Sequence, residues 1–131
     1  MSTQDDLFQS ARQAREAAYA PYSDFKVGAA VRTMSGKVFS GCNVENAAFP
    51  EGVCAEAGAI SAMILAGETQ IAEVLVLGDA ALCTPCGGCR QKLNEFAKGN
   101  VVVHVADLNE VKRSFTVAEL LPAGFELEEK D

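Results

Sequence analysis

The chain has 131 residues, 49% of them hydrophobic, which suits one ordinary domain over residues 1–131 with a sizeable core. Its formal net charge of -7 does not favour polyanion binding, so nucleic acid is not expected as a main partner. The N-terminus has no basic segment followed by an apolar run, and no stretch reaches about 18 consecutive apolar residues. We therefore expect no signal peptide, no membrane partner and a cytoplasmic location.

The hydrophobic patterns predict alternating helices and strands. In chain order these are a helix over residues 3–18, strands over 26–33 and 37–44, a helix over 55–66, a strand over 73–78, a helix over 87–98, a strand over 101–105 and a short last helix capped by Thr116. Gly36 supplies a hairpin turn, and Gly67 is a stop signal for the second helix. That helix is apolar nearly all round, which predicts burial. The alternation predicts an α/β fold whose sheet is covered by helices on both faces.

The chain contains five cysteines, an odd number that argues against a complete disulfide framework. Reducing conditions in the cytoplasm would also keep thiols free. Metal binding or catalysis is therefore the better interpretation of the cysteines, which are Cys42, Cys54, Cys83, Cys86 and Cys89.

Two segments carry the chemistry. Cys86 and Cys89 are spaced i and i+3 at a predicted helix start, where exposed N–H groups and the helix dipole favour thiolates. Cys54 has the matching position at the start of the other helix. Two facing helix N-termini could bring three thiolates to one zinc ion, and three protein ligands are typical of catalytic zinc, which keeps a position for water.

Glu56 follows Cys54 by two residues, inside an apolar helix where a carboxylate is costly to bury. It suits a proton shuttle between substrate and a water that zinc has acidified. Each feature alone has a plainer interpretation: a redox pair or half of a zinc knuckle for "PCGGC", a core residue for Cys54, and a favourable helix N-terminal charge for Glu56. The combination of C-x-E, about thirty residues, then P-C-x-x-C is the signature of zinc nucleobase deaminases.

Beyond that signature, the chain resembles the small homotetrameric cytidine deaminases from about Leu7 to Phe125. The residues that carry the resemblance are "APYSDFKVGAAV", "GCNVENAAF", "CAE", "PCGGCRQ" and "LLPAGF". The resemblance implies a three-layer α/β/α sandwich with a five-stranded mixed sheet. It also implies hydrolytic deamination of cytidine and deoxycytidine in pyrimidine salvage, with release of ammonia.

The resemblance further implies a role for each matching position. It implies one zinc per subunit with Cys54, Cys86 and Cys89 as ligands, Glu56 as proton shuttle, Phe25 stacking on the pyrimidine, Asn43 and Glu45 binding the ribose, the Ala55 backbone reading the base, and Phe125 reaching a neighbouring subunit's pocket. Without the family, Asn43 and Glu45 would be ordinary polar residues, Phe25 a core residue, and Phe125 local packing. A homotetramer with active sites at subunit interfaces, lined by Ala47 and Phe49, is also implied.

Two positions depart from the pattern. Many relatives have arginine where this chain has Ala57, and often tyrosine where it has Phe49. Zinc with three thiolates has a net charge of -1 that the arginine helps to offset. Helix dipoles, N–H groups and Arg90 would have to compensate here. The missing tyrosine hydroxyl could loosen the interface or change the substrate range.

Several alternatives remain open. A deaminase of another aminopyrimidine nucleoside, such as blasticidin S, shares the two cysteine motifs. A structural zinc module predicts a closed four-ligand site and leaves the carboxylate unexplained. A Cys86–Cys89 redox pair predicts thiol reactivity that survives metal loading, and a polynucleotide editor is disfavoured by the acidic charge. We expect Cys42 to be a packing residue, Cys83 not to be a fourth ligand, and His104 to be an ordinary strand residue.

Overall fold

The structure is a computed structural model that describes residues 2–127. Its elements in chain order are α1 (Thr3–Glu16), β1 (Val27–Thr33), β2 (Val38–Cys42), a 3-10 helix (Phe49–Glu51), α2 (Ala55–Leu65), β3 (Ile71–Gly78), α3 (Gly87–Phe96), β4 (Ala97–Ala106), β5 (Val111–Thr116) and α4 (Val117–Leu120). Within residues 2–127, no helix is both long and apolar enough to cross a membrane.

The five strands form one sheet in the order β2-β1-β3-β4-β5. β3 and β4 are parallel, and the other neighbouring pairs are antiparallel. The predicted hairpin is confirmed, since β1 pairs with β2 across a turn in which Gly36 has a φ of 92°. A left-handed φ of this kind is accessible to glycine at little cost. The five-stranded mixed sheet that the resemblance implied is therefore present.

Successive residues of each strand point to opposite faces of the sheet. On one face, Leu7 and Ala11 of α1 pack with Leu75 and other strand residues. On the other, residues of α2, α3 and α4 pack with Val31, Val74 and Val103. The helices thus form two layers around the sheet, and the expected three-layer α/β/α arrangement is confirmed.

The strand over Val111–Thr116 is the main element that the sequence patterns missed. It pairs with β4 alone at the edge of the sheet, and three of its central residues are exposed and polar or charged. Such residues are common on edge strands because they discourage pairing with another chain. They also interrupt the alternation of apolar and polar residues from which a strand is predicted. The Thr116 cap is confirmed, since its hydroxyl accepts from the Glu119 N–H within a capping box.

The second helix, which was predicted to be buried, is buried on one face only. Ala59, Ile60 and Met63 are buried, but Leu65 is 90% exposed and Ile64 is also exposed. α2 belongs to an outer layer, so only one of its faces can contact the sheet. An apolar face is consequently left on the surface of the chain.

One close approach fixes α2 against the sheet. A Cβ added at Gly41 of β2 would lie 2.4 Å from the Ala59 nitrogen and 2.5 Å from the Ala55 oxygen. Only glycine fits at that distance, because real Cβ atoms do not approach backbone so closely. The contact sets the position of the first turn of α2, where the predicted site begins.

Candidate metal and active site

The two helix starts carry the cysteines as predicted. Cys54 is the N-cap residue of α2, and Cys86 is the N-cap residue of α3. Cys89 is the third residue of α3, so its side chain lies one turn from that of Cys86. The sulfur atoms of these three residues all lie within 4.8 Å of one another. The structure thus brings together three thiols that are more than thirty residues apart at their extremes.

The donor set fits zinc. Three soft sulfur donors converge on one point, and tetrahedral zinc with Zn–S bonds of about 2.3 Å needs sulfurs roughly 3.8 Å apart. The observed limit of 4.8 Å accommodates that geometry. Three ligands leave the fourth tetrahedral position for water or substrate, as in catalytic zinc sites. Within residues 2–127, no other cysteine belongs to this group, so Cys42 and Cys83 lie outside it.

The local environment acts differently on the three thiols. Burial raises the pKa of Cys54 and of Cys89. The backbone N–H of Cys89 instead lowers the pKa of Cys86, since this donor belongs to the unpaired first turn of α3. Cys86 is therefore the thiol of the three that the protein itself favours as a thiolate.

Glu56 is the second residue of α2 and is only 5% exposed. Burial is the largest influence and raises the pKa of its carboxyl, while the Cys89 thiol and the Lys92 charge act in the opposite direction. A carboxyl with a raised pKa is a stronger proton acceptor than an ordinary glutamate and can return the proton later. The position beside the sulfur cluster and the shifted pKa both suit proton transfer at this site.

Asn43 organises the segment that carries Phe25. Its amide oxygen accepts from the Val27 N–H at 2.8 Å, and its amide nitrogen donates to the Phe25 carbonyl at 2.9 Å. An amide oxygen has a second lone pair and the nitrogen a second hydrogen. The side chain can thus hold this segment and still bond a ligand.

Glu45 is held by the turn before Phe25. Its carboxylate accepts from the Tyr22 N–H at 2.9 Å, from the Ser23 N–H at 3.1 Å and from the Ser23 hydroxyl. The Ser23 hydroxyl is the largest influence on the pKa of Glu45, and the net effect is a lowered pKa. A lowered pKa keeps the group an anionic acceptor, which is the form that bonds a hydroxyl strongly.

Ser23 is a residue that sequence analysis missed. Its hydroxyl donates to Glu45 and accepts from the Phe25 N–H at 3.0 Å, so it links the carboxylate to the aromatic residue. The sequence signal was the turn-forming "YSDF", in which serine commonly bonds the backbone two residues on.

Glu45 also lines a surface cavity of about 430 Å³ together with Tyr22 and Phe49.

Phe25 lies against the end of β3. A Cβ added at Gly78 would be 3.2 Å from the Phe25 ring and 2.8 Å from the Cys83 sulfur. The ring and the sulfur therefore share the space that a side chain at this position would occupy. Burial raises the pKa of Cys83 to about 11, so this thiol stays protonated at neutral pH.

Phe125 lies beside α3 and is 67% exposed. Its N–H donates to the Gln91 side-chain oxygen at 3.2 Å, and its carbonyl accepts from the Gln91 nitrogen at 3.0 Å. The backbone is fixed to α3 while the ring projects into solvent.

Ala55, the remaining predicted contact, is buried as the first residue of α2, where backbone N–H groups have no partner within the helix.

Arg90, which was expected to help offset the charge of the site, makes its hydrogen bonds to two backbone carbonyls. Its Nε donates to the Pro85 carbonyl at 2.8 Å and its guanidinium to the Leu120 carbonyl at 3.1 Å. The residue thus ties the loop before Cys86 to α4. Its hydrogen bonds go to backbone oxygens, so it acts on the loop that carries the cysteine.

Known proteins share both the sequence pattern and this fold. The family profile for the cytidine and deoxycytidylate deaminase zinc-binding region matches residues 1–105. A cytidine deaminase of Sporosarcina psychrophila is 37% identical over 126 residues, which is 95% of this chain and 93% of that protein. One from Halalkalibacterium halodurans is 38% identical over 124 residues, 94% of each chain.

Solved structures of cytidine deaminases have the same fold as this chain. The crystal structure of cytidine deaminase from Burkholderia pseudomallei superposes with a TM-score of 0.89 at 41% identity, covering 95% of this chain and 100% of that one. The enzyme from Mycobacterium tuberculosis gives a TM-score of 0.84 at 32% identity, covering 97% and 100%. The matched zinc-binding region and the three converging thiols agree in making zinc the cofactor. The chain therefore belongs to the cytidine and deoxycytidylate deaminase family of zinc-binding proteins.

Proposed function

We propose that this chain is a zinc-dependent hydrolase that converts cytidine and deoxycytidine to uridine and deoxyuridine with release of ammonia. The observation that carries the proposal is the meeting of three cysteine sulfurs within 4.8 Å, at two helix N-termini and beside a buried glutamate. Cys54, Cys86 and Cys89 would hold one zinc per subunit. When bound, zinc supplies Lewis acidity that lowers the pKa of a coordinated water towards neutrality.

Glu56 is the residue that moves protons in this proposal. Its carboxylate takes a proton from the attacking water and delivers it to N3 of the pyrimidine, which makes C4 more electrophilic. After attack at C4, the carboxylate takes the second proton from the oxygen now bonded to C4 and passes it to the amino group, and ammonia leaves as the C4 carbonyl forms. Its burial supports this role, because burial raises the pKa of the carboxyl towards the working pH.

The nucleoside would be held from the side of β1 and β2. Phe25 stacks on the pyrimidine ring, and the Ala55 backbone at the start of α2 reads the base. Asn43 and Glu45 bond the ribose hydroxyls. The lowered pKa of Glu45 supports this role, since an anionic carboxylate is a strong acceptor for a sugar hydroxyl.

We further propose a homotetramer with active sites at the subunit interfaces. Support comes from apolar side chains that the chain leaves exposed, including Phe49, Leu65 and Phe125. Exposed apolar patches of this kind commonly mark protein–protein contacts. The Phe125 ring would enter the pocket of a neighbouring subunit, while Ala47 and Phe49 would line the same interface.

The cellular role we propose is pyrimidine salvage in the cytoplasm, carried out by a single domain over residues 1–131. The five unpaired thiols support a reducing compartment. The acidic charge supports a free nucleoside over a polynucleotide as substrate.

The test is the loss of absorbance when cytidine or deoxycytidine is added to the zinc-loaded protein, with Glu56→Gln measured alongside. The parent should turn over both nucleosides, and the variant should lose roughly 100- to 10,000-fold in kcat while keeping its zinc. Glu110→Gln is the matched control, because its carboxylate lies on the surface between β4 and β5. A zinc-loaded parent that is inert with both nucleosides would refute the proposal, and blasticidin S and then a structural zinc role would be tested next.

A further inference from the structure

A short turn ahead of β1 closes around the carboxylate of Glu45. Its Oε1 accepts from the Tyr22 N–H at 2.9 Å and from the Ser23 N–H at 3.1 Å. Its Oε2 accepts from the Ser23 hydroxyl, which has a single proton to donate. Two consecutive residues of the turn therefore hold both oxygens of this carboxylate.

The Ser23 hydroxyl also shapes the turn itself. Its oxygen accepts from the Phe25 N–H at 3.0 Å. Asp24, between these two residues, has a φ of 58°, in the left-handed region that few residues other than glycine adopt. A residue in that region needs surrounding contacts to keep it there. The bond across Asp24 from Phe25 to the Ser23 hydroxyl is one such contact.

Backbone pairing places Glu45 close to the proposed metal site. Val44 pairs with Val53 in an antiparallel bridge, with N–H···O distances of 2.8 Å in both directions. Glu45 directly follows Val44, and Cys54 directly follows Val53, so each is one residue from the same bridged pair. The Glu45 N–H also donates to the Tyr19 carbonyl at 2.8 Å. The acidic residue and the first cysteine are thus fixed relative to each other by backbone hydrogen bonds.

Ser23 and Glu45 both line the surface cavity that also contacts Tyr22 and Phe49. Its volume of about 430 Å³ suits a small-molecule ligand. A carboxylate has about four acceptor positions, and the turn fills three of those on Glu45. The remaining position lies on Oε2, the oxygen that the Ser23 hydroxyl bonds. The direction of this last acceptor therefore depends on that hydroxyl.

We infer that Ser23 is a positioning residue for sugar binding, whose hydroxyl directs the remaining acceptor of Glu45 at a sugar hydroxyl of the nucleoside. The inference rests on the proposed function. The same hydroxyl keeps the Phe25 backbone in a fixed relation to the carboxylate, so base and sugar contacts are set together. Without it, the carboxylate can turn and must be ordered again each time a ligand binds, which weakens binding. Ser23 acts through Glu45 and leaves the chemical step to other residues.

The test measures the Kd of deoxycytidine by calorimetry on the zinc-loaded Glu56→Gln protein, which the proposed mechanism expects to bind without turnover. Adding Ser23→Ala should raise this Kd about 5- to 20-fold, since a hydrogen bond to a charged acceptor is lost. In the otherwise unaltered enzyme, Ser23→Ala should raise KM by a similar factor and lower kcat much less. Ser23→Thr keeps a hydroxyl and should recover most of the affinity.

Ser35→Ala is the matched control. The Ser35 hydroxyl also donates to a glutamate, Glu68, at 2.8 Å, but in the turn between β1 and β2 at the far end of β1. Its removal should change neither Kd nor KM. Urea unfolding of each variant shows that it is folded.

A second ligand tests whether Ser23 acts through Glu45. The sugar of 2′,3′-dideoxycytidine has no ring hydroxyl for the carboxylate to accept from. The rise in Kd caused by Ser23→Ala should therefore be at least about threefold smaller for this ligand than for deoxycytidine. Equal rises for the two ligands would mean that Ser23 only supports the turn, and would overturn the inference.

The remaining outcomes separate this inference from the proposed function. If Ser23→Ala binds deoxycytidine as tightly as its parent, or if Ser35→Ala weakens binding equally, the inference is wrong, even in an active deaminase. A folded Ser23→Thr that recovers no affinity also contradicts it. A parent that binds deoxycytidine without deaminating it refutes the proposed reaction and leaves the binding comparison valid. A zinc-loaded protein that binds no nucleoside overturns both.

Discussion

The Asn43 amide oxygen accepts a hydrogen bond from the N–H of Val27, the first residue of β1, at 2.8 Å. The same side chain donates to the Phe25 carbonyl at 2.9 Å. The Asn43 side chain, which follows the end of β2, therefore fixes the backbone on both sides of Lys26. This arrangement sets where the Phe25 ring can lie, and it makes Asn43 important for binding as well as for folding.

Asn43→Ala should weaken substrate binding more than it slows the chemical step. The variant leaves the Val27 N–H without its partner, which costs about 1 to 3 kcal/mol of unfolding free energy. It also frees the Phe25 segment, so KM should rise roughly tenfold or more while kcat falls less. Steady-state kinetics and urea unfolding check both effects.

Asn43→Asp is the matched variant, since it keeps an acceptor for Val27 but cannot donate to the Phe25 carbonyl. We expect a stability between that of the parent and Asn43→Ala, with KM still raised. Unchanged KM in both variants would show that this amide does not position the aromatic residue.

Gly78→Ala should disturb the aromatic position without touching the metal ligands. The added Cβ would lie 2.8 Å from the Cys83 sulfur and 3.2 Å from the Phe25 ring. Both must move, so we expect KM to rise and the free energy of unfolding to fall by about 1 to 3 kcal/mol. Zinc affinity should stay close to that of the parent.

The double variant Gly78→Ala, Cys83→Ala tests the cause of that effect. Removing the sulfur relieves the closer of the two contacts and should recover part of both losses. A double variant that is no better than Gly78→Ala alone would show that the sulfur contact is not the source of the change.

The sequence predicted those parts of the site that are local in the chain. Cys54 and Glu56 lie on one helical turn, and so do Cys86 and Cys89, so spacing alone relates the members of each pair. That the two turns meet depends on how α2 and α3 pack on the sheet. The meeting was inferred from the chemistry of the cysteines and from family resemblance, with no contact information.

Other parts of the site were beyond the reach of the sequence because they depend on nonlocal contacts. Ser23 bonds Glu45 across more than twenty residues. Gly78 matters because the Phe25 ring and the Cys83 sulfur occupy the space that a side chain there would need. The role expected of Arg90 also depended on where its guanidinium finds partners. The strand before Thr116 was missed for another reason, since its polar edge has no apolar alternation.

Gly41→Ala should affect the metal site from a distance. Its Cβ would meet the Ala59 nitrogen at 2.4 Å and the Ala55 oxygen at 2.5 Å, and backbone cannot move aside as a flexible side chain can. α2 must shift outward and take Cys54 and Glu56 with it. We expect a loss of about 2 kcal/mol or more in unfolding free energy and a weaker zinc affinity.

Gly87→Ala is the control for that experiment, because a Cβ there meets no atom within 4 Å. Alanine is also the better helix former, so this variant should be as stable as the parent or more so. Chelator competition and denaturant unfolding on both variants check the expectation. Zinc binding at parental affinity in folded Gly41→Ala would contradict the proposed coupling.

The final prediction concerns a polar cluster beneath α1, outside the sulfur group. The buried His104 has its Nε2 2.7 Å from a Glu73 oxygen, and its Nδ1 lies 2.7 Å from the Ser114 hydroxyl and 3.4 Å from the Gln4 amide nitrogen. His104 was expected to be an ordinary strand residue, but its side chain links three strands, β3, β4 and β5. Burial raises the pKa of Glu73, but hydrogen bonds with His104 and its other neighbours outweigh it and leave the pKa below the ordinary 4.5.

A lowered pKa in the folded state means that the ionised carboxylate stabilises the fold above the ordinary pKa, and that this contribution disappears as the pH falls through the lowered value. Glu73→Gln should therefore cost about 1 to 3 kcal/mol of unfolding free energy near pH 7. The difference from the parent should shrink as the pH falls below 4.5 and through the lowered pKa of Glu73. Urea unfolding of both proteins across this range measures it, and loss of zinc at low pH affects both alike. Glu110→Gln should show less than about 0.5 kcal/mol at any pH, because exposed pairs contribute little. A Glu73→Gln difference that stays constant with pH would mean that packing, and not the charge, is what the carboxylate contributes.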